Sequence, residues 1–238
     1  MYSFNSRVRY SELNHKTGEL PCSSIINYFQ DCSTFQSEDI HRGLSYLQNN
    51  SRVWLLSSWQ LQILAPARLA DVITVGTWAY DFKGFYGYRN FIMKNYEESV
   101  LAVANSIWVY IDAEEGKPVR IPADHAGYEL EPPYPMDHLE RKIRIPANSE
   151  EFPPFSVIKS NIDSYHHVNN GQYIKMAEEY LPDNFEVLSL RVEYRMQAVV
   201  CDRITPLIAK EEDEITVILA DQDKKPYSIL NFKGIYKI

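Results

Sequence analysis

The sequence predicts an α+β fold of two similar halves, each with one long helix against a curved antiparallel sheet. Three observations indicate this fold. Apolar residues recur at helical spacing once in each half, within residues 23–43 and 171–181. Strand-like runs follow each helix. The pattern Asp-x-Ile-Thr also occurs at matching positions of the halves, at 71–74 and 202–205, so the second half is interpreted as a repeat of the first.

For the first half, the sequence predicts a strand, a helix and then a meander of strands. Ser23 is a suitable N-cap for the helix, Phe29 and Cys32 lie on its apolar face, and Gly43 is a suitable end. After the helix the apolar pattern changes to the alternation of strands. The predicted segments are strand 7–10, polar turn 11–18, helix 23–43 and strands 53–64, 71–78, 86–94 and 102–111.

A proline-rich stretch separates the two halves. Residues 118–154 hold eight of the thirteen prolines, which disfavours both a helix interior and a central strand. The sequence therefore predicts an N-terminal domain at 1–117, a linker at 118–154 and a C-terminal domain at 155–238. A long surface loop within one domain is the alternative, although loops of that length are uncommon. The second-half segments are strand 155–160, turn 161–170, helix 171–181 and strands 188–196, 203–210, 214–220 and 227–236.

The turn at 161–170 gathers the side chains best suited to chemistry. It contains Asp163 and His167, and a helix is expected to begin near Asn170. The free N–H groups at a helix start favour an anion, whether bound or transient. Asp and Asn before a helix are also common as simple caps, so the local pattern leaves capping and catalysis open.

Composition narrows the class of protein. Of 238 residues, 24 are Lys or Arg and 32 are Asp or Glu, giving a net charge of −8, which argues against general nucleic-acid binding. Three cysteines at no metal-like spacing suggest neither a disulfide framework nor a metal site. The N-terminus lacks a secretion signal pattern, and no run is long and apolar enough for a membrane span. We therefore expect a soluble cytoplasmic protein.

Two stretches resemble the acyl-acyl carrier protein thioesterases of plants and bacteria. Residues 163–174 read Asp-x-Tyr-x-His-Val-Asn-Asn-x-x-Tyr-Ile and residues 192–195 read Val-Glu-Tyr-Arg. The first half is similar to that family's N-terminal domain in residues 52–54, 76–78, 88–92 and 104–109, so the resemblance covers nearly the whole chain. It implies a tandem (double) hotdog fold and hydrolysis of a fatty acyl thioester on acyl carrier protein. It implies no metal and no bound cofactor.

The resemblance also implies roles for the residues of the turn. His167 suits the general base or acid, and Asp163, four residues earlier, is expected to hold its imidazole. The amides of Asn169, Asn170 or Gly171 are the expected oxyanion donors. Tyr173 is also expected to bind the substrate.

Two positions depart from the family pattern. Tyr165 stands where the family usually has Asn, and Gln197 stands where it usually has Glu. Both remain catalytic candidates, but Gln can orient water without accepting its proton. Ala198 replaces a residue that is often Cys in plant members, which excludes a cysteine nucleophile there. Cys201 is expected to pack within a strand.

Further expectations concern the acyl chain and the carrier. Trp54 and Trp59 are candidates for an acyl-chain pocket in the first domain. His15 matches the turn position of His167, with Ser11 in place of its Asp partner, so the first turn is predicted to be non-catalytic. Candidate docking charges for an acidic carrier protein are Arg89, Lys94, Arg141, Lys142 and Arg144. The sequence leaves open an acyl-CoA thioesterase, a non-hydrolytic acyl-binding protein and a homodimer.

Overall fold

The computed structural model describes residues 1–237 of the protein, apart from the side chain of His125. The chain forms two compact units. The first contains Met1–Ser57 and Ile63–Leu139, and the second contains Ser58–Gln62 and the chain from Glu140 onward. Each unit combines helix with an antiparallel sheet, so the α+β prediction is confirmed.

The first unit is built on a sheet whose neighbouring strands follow the order β1-β3-β4-β5-β2, with β6 paired to β5. Strand β1 alternates half-buried and exposed residues, as expected for a strand with one covered face. The strands are β1 (Tyr2–Arg7), β2 (Arg52–Ile63), β3 (Val72–Lys83), β4 (Tyr86–Asn95), β5 (Val100–Asp112) and β6 (Lys117–Pro118).

Helix α1 (Cys22–Asp39) packs on this sheet, and the shorter helix α2 (Leu44–Asn49) follows it. Phe29 of α1 lies 5.3 Å from Phe91 of β4 between ring centroids, and both side chains are fully buried. Burying a phenylalanine contributes about 1.5–3 kcal/mol to folding. The apolar face predicted for this helix is therefore its sheet-facing side.

The second unit has the strand order β9-β12-β11-β10-β7, with β8 paired to β10. Ser58–Gln62, which group with this unit, pair antiparallel with β9. The strands are β7 (Glu150–Glu151), β8 (Phe155–Ser156), β9 (Phe185–Tyr194), β10 (Arg203–Lys210), β11 (Glu214–Ala220) and β12 (Pro226–Tyr236).

Helix α3 (Asn170–Glu178) lies against β11 and β12 of the second unit. Its buried residues include Tyr173, Ile174 and Ala177, which recur at helical spacing. It is half as long as α1, with 9 residues against 18. Within residues 1–237, no helix combines the length and apolar character needed to span a membrane.

The two units share a local backbone framework. The N–H of Ala70 donates to the carbonyl of Val8, and the N–H of Cys201 donates to the carbonyl of Val157, both at 3.0 Å. Ala70 and Cys201 both have positive φ, 68° and 73°, an uncommon conformation for residues other than glycine. The sequence match at Asp71 and Asp202 therefore reflects a repeated turn.

The proline-rich segment is ordered by bonds to side chains. The indole N–H of Trp78 donates to the Pro132 carbonyl at 2.9 Å, and the N–H of Tyr134 donates to Oδ1 of Asn90 at 2.9 Å. Further along, the N–H of Ile143 donates to a Glu193 carboxylate oxygen within the second unit. The predicted domain limits at 117 and 155 stay predictions.

Some element bounds differ from the sequence prediction. The first strand is Tyr2–Arg7, not 7–10, because Tyr10–Glu12 form a 3-10 turn. Helix α1 starts one residue before Ser23, with Pro21 at the cap position, so Ser23 is not the N-cap. The predicted strand 155–160 is limited to Phe155–Ser156, and a 3-10 turn at Lys159–Asn161 follows. Cys201 is exposed in a turn and not packed in a strand.

Candidate active site

The turn at 161–170 is closed by hydrogen bonds around Asp163. Its N–H donates to the His167 carbonyl at 2.9 Å, and its carbonyl accepts the N–H of His166 at 3.1 Å. Its Oδ1 accepts the N–H of Tyr165 at 2.8 Å and the N–H of His167 at 3.4 Å. Asp163 therefore folds the turn through bonds to the backbone, the local pattern that Asp favours outside helices.

This arrangement corrects the expected role of Asp163. The carboxylate was expected to hold the imidazole of His167. In the part of the chain that the structure describes, Nδ1 of His167 is buried and has no hydrogen-bond partner. Asp163 therefore positions the backbone of His167. Nδ1 of the His167 ring is not bonded to Asp163 and can pair with another group.

The two adjacent histidines have different surroundings. His166 is exposed and has a φ of 65°, so it occupies the left-handed corner of the turn. His167 is half-buried, with the buried Nδ1 described above. Buried polar atoms nearly always have partners in folded proteins, so Nδ1 of His167 is expected to pair with a group other than Asp163. A histidine can take up and release a proton near neutral pH, so His167 is the better candidate for proton transfer.

The start of helix α3 lies beside His167 in the chain. Asn169 is the N-cap, and its Oδ1 accepts the N–H of Gly171 at 2.9 Å. The N–H of Asn169 itself donates to the carbonyl of Asn161 at 2.9 Å. Two of the three N–H groups that were expected to bind the oxyanion therefore already have acceptors within the protein. Among the described residues, the N–H of Asn170 has no acceptor, and the first turn of α3 has no acidic residue to neutralise the helix dipole.

The segment after β9 is attached to the turn and to α3. The N–H of Val168 donates to the carbonyl of Ala198 at 2.9 Å, and the N–H of Ala198 donates to the hydroxyl of Tyr173 at 2.9 Å. Gln197 precedes Ala198, as His167 precedes Val168. The backbone of Gln197, whose side chain is exposed, is thereby held beside the histidine turn.

Tyr173 and Tyr194 support this attachment from inside the unit. Their rings meet edge to face with centroids 5.9 Å apart, and the hydroxyl of Tyr194 donates to the carbonyl of Asn170 at 2.9 Å. Burial raises the pKa of both phenols well above the usual range, so both stay protonated. Tyr173 was predicted to contact substrate. The structure places its hydroxyl against the Ala198 amide.

Sequence reasoning missed the positioning roles of Tyr194 and Ala198. Their contacts join residues distant in sequence, and no local pattern signals them. Glu193, quoted only as part of a motif, is buried and accepts the N–H of Ile143 at 2.8 Å and the Nε–H of Arg195 at 3.0 Å. It acts as a structural acceptor on β9.

The corresponding turn of the first unit lacks these groups. Asn14 donates its N–H to the carbonyl of Glu19 at 2.8 Å, as Asp163 does to His167. Asn14 and Glu19, rather than Ser11 and His15, therefore occupy the matching positions. Glu19 is bound to Arg68 by an ion pair of 2.8 Å. The first turn therefore has no histidine at the position of His167.

The two tryptophans predicted for an acyl pocket lie five residues apart on β2. Residues at odd separations in a strand point to opposite faces. Trp54 packs against Tyr110, with ring centroids 4.6 Å apart, in the first unit. Trp59 is 1% exposed and pairs with Val192 of β9 in the second unit. The assignment of both rings to an acyl-chain pocket stays a prediction.

A helix on an antiparallel sheet in each unit, together with a histidine turn at a helix start, agrees with the hotdog-type thioester hydrolase that the sequence resemblance predicts. Comparison with protein families gives the particular family. The Acyl-ACP thioesterase N-terminal domain matches residues 1–127, and the Acyl-ACP thioesterase C-terminal domain matches residues 146–229. The chain belongs to the acyl-ACP thioesterase family and is an enzyme that hydrolyses fatty acyl-acyl carrier protein thioesters.

Solved structures support the double hotdog fold. An acyl-ACP thioesterase from Bacteroides thetaiotaomicron is 18% identical, with a TM-score of 0.89 over 98% of this chain and 97% of that chain. The 12:0-ACP thioesterase from Umbellularia californica is 14% identical, with a TM-score of 0.86 over 100% of this chain and 98% of that chain. At these identities the likeness establishes the fold alone. A comparison with curated protein sequences finds no match.

Proposed function

We propose that the turn at 161–170 carries out the thioester hydrolysis, with His167 as general base and then general acid. One observation carries this assignment. The hydrogen bond from Val168 to the Ala198 carbonyl holds the backbone of Gln197 beside the turn that carries His167. A proton acceptor and a group that can orient water thus lie at the same turn.

The reaction follows from the chemistry of these groups. Gln197 orients a water molecule but cannot take its proton. The water oxygen attacks the thioester carbonyl while His167 accepts the water's proton. The oxyanion that forms on the carbonyl oxygen accepts the N–H of Asn170, a contribution of about 2.7–4 kcal/mol for one such donor. The C–S bond then breaks, and His167 returns the proton to the leaving thiolate. The products are free fatty acid and the free thiol of the carrier's phosphopantetheine arm.

The other predicted site residues act on these groups indirectly. Asp163 holds the backbone of Tyr165 and His167, and Asn169 caps the helix whose first N–H faces the oxyanion. Tyr173 holds the Ala198 amide. Their proposed effect is to keep the base, the water-orienting side chain and the oxyanion donor in one arrangement.

We further propose that the N-terminal domain binds the acyl chain and the C-terminal domain carries the chemistry. Support for the first part is the aromatic cluster of Trp54, Phe82 and Tyr110 in the first unit. Support for the second part is that the first turn has no histidine at the position of His167, and that Glu19, which stands there, is held in an ion pair with Arg68. No disulfide joins the three cysteines within residues 1–237, which supports a reducing compartment such as the cytoplasm, where the enzyme would terminate fatty acid synthesis.

A thiol-release assay tests the proposal. The protein is incubated with acyl-carrier-protein and acyl-CoA thioesters from C8 to C18, and free thiol is followed with a chromogenic reagent. We expect the wild-type protein to release free thiol from acyl thioesters of acyl carrier protein. We expect His167→Ala to abolish this release. Release by His167→Ala at the wild-type rate would contradict the assignment of the base. No release above background from any thioester would contradict hydrolysis itself.

A further inference from the structure

Three exposed aliphatic side chains lie beside the histidine turn. Ile158, Val199 and Val200 are 59%, 41% and 39% exposed, and we call them the apolar lip. The N–H of Cys201 donates to the carbonyl of Val157 at 3.0 Å, which brings the two segments of the lip side by side. Exposed apolar side chains that cluster mark interaction surfaces more often than isolated ones do.

The lip is joined directly to the candidate active site. Val199 follows Ala198, whose carbonyl accepts the N–H of Val168, and Val168 follows His167. A partner seated on the lip is therefore next to the turn that carries the proposed chemistry.

Two cations flank the lip. Lys159 follows Ile158, and Arg203 pairs in register with Ser156 of β8. Both are exposed, and neither has an acidic partner among residues 1–237. The carboxylate of Asp202, which precedes Arg203, accepts the N–H of Val199 at 2.9 Å and the hydroxyl of Tyr227 at 3.2 Å. The carboxylate of Asp163, the nearest to Lys159 along the chain, accepts the N–H groups of Tyr165 and His167. The cations are thus left uncompensated in a chain of net charge −8.

The first unit shows that the fold does not require an apolar lip. The carboxylate of Asp71 accepts the N–H of Arg68 at 2.8 Å, as that of Asp202 accepts the N–H of Val199. Arg68 is therefore the counterpart of Val199. Its guanidinium forms an ion pair with Glu19.

The other side of the lip has a similar counterpart. The N–H of Arg9 donates to Glu12 at 3.2 Å, as the N–H of Ile158 donates to Asn161 at 3.0 Å. Arg9 is also bound to Glu12 by an ion pair. The same backbone thus carries internally paired charges in one unit and an apolar lip with unpaired cations in the other.

We propose that the apolar lip, with Lys159 and Arg203, is the docking surface for the acyl carrier protein. The proposal rests on the proposed function, because the carrier's acyl arm is attached covalently and must reach the histidine turn. The carrier is acidic and is repelled at long range by a chain of net charge −8. Local unpaired cations reverse that repulsion where the carrier must sit, and the lip supplies apolar contact.

The structure also changes which charges are candidates for docking. Arg89 is buried, where its guanidinium donates to Thr77 at 3.0 Å and lies over the ring of Tyr128, so it is not available to a partner. Lys94 is paired with Glu98 at 2.9 Å. Lys159 and Arg203 have neither restriction.

The test compares a carrier-bound substrate with a small one that has the same acyl group. Arg203→Glu is matched by Lys210→Glu, which makes the same charge change at an exposed, unpaired residue on the same strand, seven residues or roughly 23 Å away. We measure kcat/KM for two substrates: the acyl carrier protein loaded with the acyl group, and the N-acetylcysteamine thioester of the same acyl group. We also measure Kd for the acyl carrier protein by fluorescence anisotropy, which requires no turnover.

The expected result separates docking from chemistry. For Arg203→Glu and for Lys159→Glu, kcat/KM on acyl-carrier protein falls about tenfold, mainly through KM, and its dependence on salt weakens. Both variants keep the wild-type rate on the small thioester, and Lys210→Glu behaves as wild type on both substrates. Val199→Ser weakens carrier binding without changing the small-substrate rate.

Different outcomes overturn different statements. Wild-type Kd in Arg203→Glu and Lys159→Glu would overturn the docking proposal while leaving hydrolysis intact. An equal loss on both substrates would show that these residues affect chemistry or folding and not docking. A wild-type protein that binds the carrier through Arg203 but releases no thiol would overturn hydrolysis alone. A change of oligomeric state in Val199→Ser with unchanged carrier binding would assign the lip to a contact between copies of this chain.

Discussion

The backbone N–H of Val168 donates to the carbonyl of Ala198 at 2.9 Å, and this bond joins the two parts of the candidate site. His167 and Gln197 are the residues immediately before the bonded pair. Tyr173 holds the other side of Ala198 through its hydroxyl. The backbone segments that carry the proposed base and the proposed water-orienting group are thus held together by this bond.

The first prediction distinguishes the two adjacent histidines. We expect His167→Ala to lower kcat by about 10²–10⁴-fold, the usual contribution of a general acid or base. His166→Asn is the matched control, because Asn tolerates the positive φ of His166 and removes only its imidazole. Steady-state kinetics on acyl-carrier protein measure both. A larger loss in His166→Asn would show that the exposed histidine performs the proton transfer.

The second prediction concerns Gln197. Replacing it by Glu adds a group that can accept a proton from water when ionised. We expect kcat/KM of Gln197→Glu to gain a decline at acidic pH, because the carboxylate is protonated there. Gln197→Ala is the control: it loses the orienting amide and adds no base, so its rate falls without the new acidic limb. Identical pH–rate profiles for wild type, Gln197→Glu and Gln197→Ala would place residue 197 outside the reach of the water.

The third prediction tests the support beneath Ala198. Tyr173→Phe removes the acceptor of a buried amide, which costs about 1–3 kcal/mol of unfolding free energy. Tyr180→Phe is the control, since Tyr180 lies in the turn just after the same helix and its hydroxyl has no hydrogen bond within residues 1–237. Guanidinium denaturation of both variants measures the difference. Equal stability of the two variants would mean that the Ala198 amide finds another partner.

Local sequence patterns predicted the helices and strands better than they predicted the contacts between distant residues. The start of α3 at Asn170 follows from its cap and its helical spacing, and the predicted strands at 203–210 and 214–220 agree with β10 and β11. The start of α1 was less accessible, because Pro21 takes the cap position and Ser23 lies buried inside the helix.

The arrangement of the site was predictable only in part. The spacing of Asp163 and His167 suggested a side-chain pair, but Asp163 bonds to the backbone of its own turn, the competing local preference of this residue type. The bonds of Ala198 to Val168 and Tyr173 join residues about 25–30 positions apart, and no short-range periodicity encodes them. The oxyanion candidates could be narrowed to Asn170 only when the acceptors of its neighbours were visible.

The fourth prediction concerns stability at alkaline pH. Burial raises the pKa of the Cys32 thiol to about 12 and raises the pKa of Tyr173 and Tyr194 above the usual range. As the pH rises above the ordinary pKa values, near 8.5 for Cys and 10 for Tyr, the unfolded chain releases these protons. The folded protein keeps them. Because the folded state binds more protons in that window, unfolding free energy falls as pH rises through it, by up to about 1.4 kcal/mol per pH unit for each such group.

Guanidinium denaturation at intervals from pH 7 to 11 measures this slope, and tyrosinate absorbance reports the protons released on unfolding. We expect Tyr194→Phe to be less stable than wild type at pH 7, because the bond to the Asn170 carbonyl is lost, but to have a shallower decline above pH 10. Tyr10→Phe, at a side chain 81% exposed, should keep the wild-type slope. A wild-type stability that stays level to pH 11 would show that Tyr173, Tyr194 and the Cys32 thiol ionise in the folded protein as readily as in the unfolded chain, and so that the interior around each of them admits solvent.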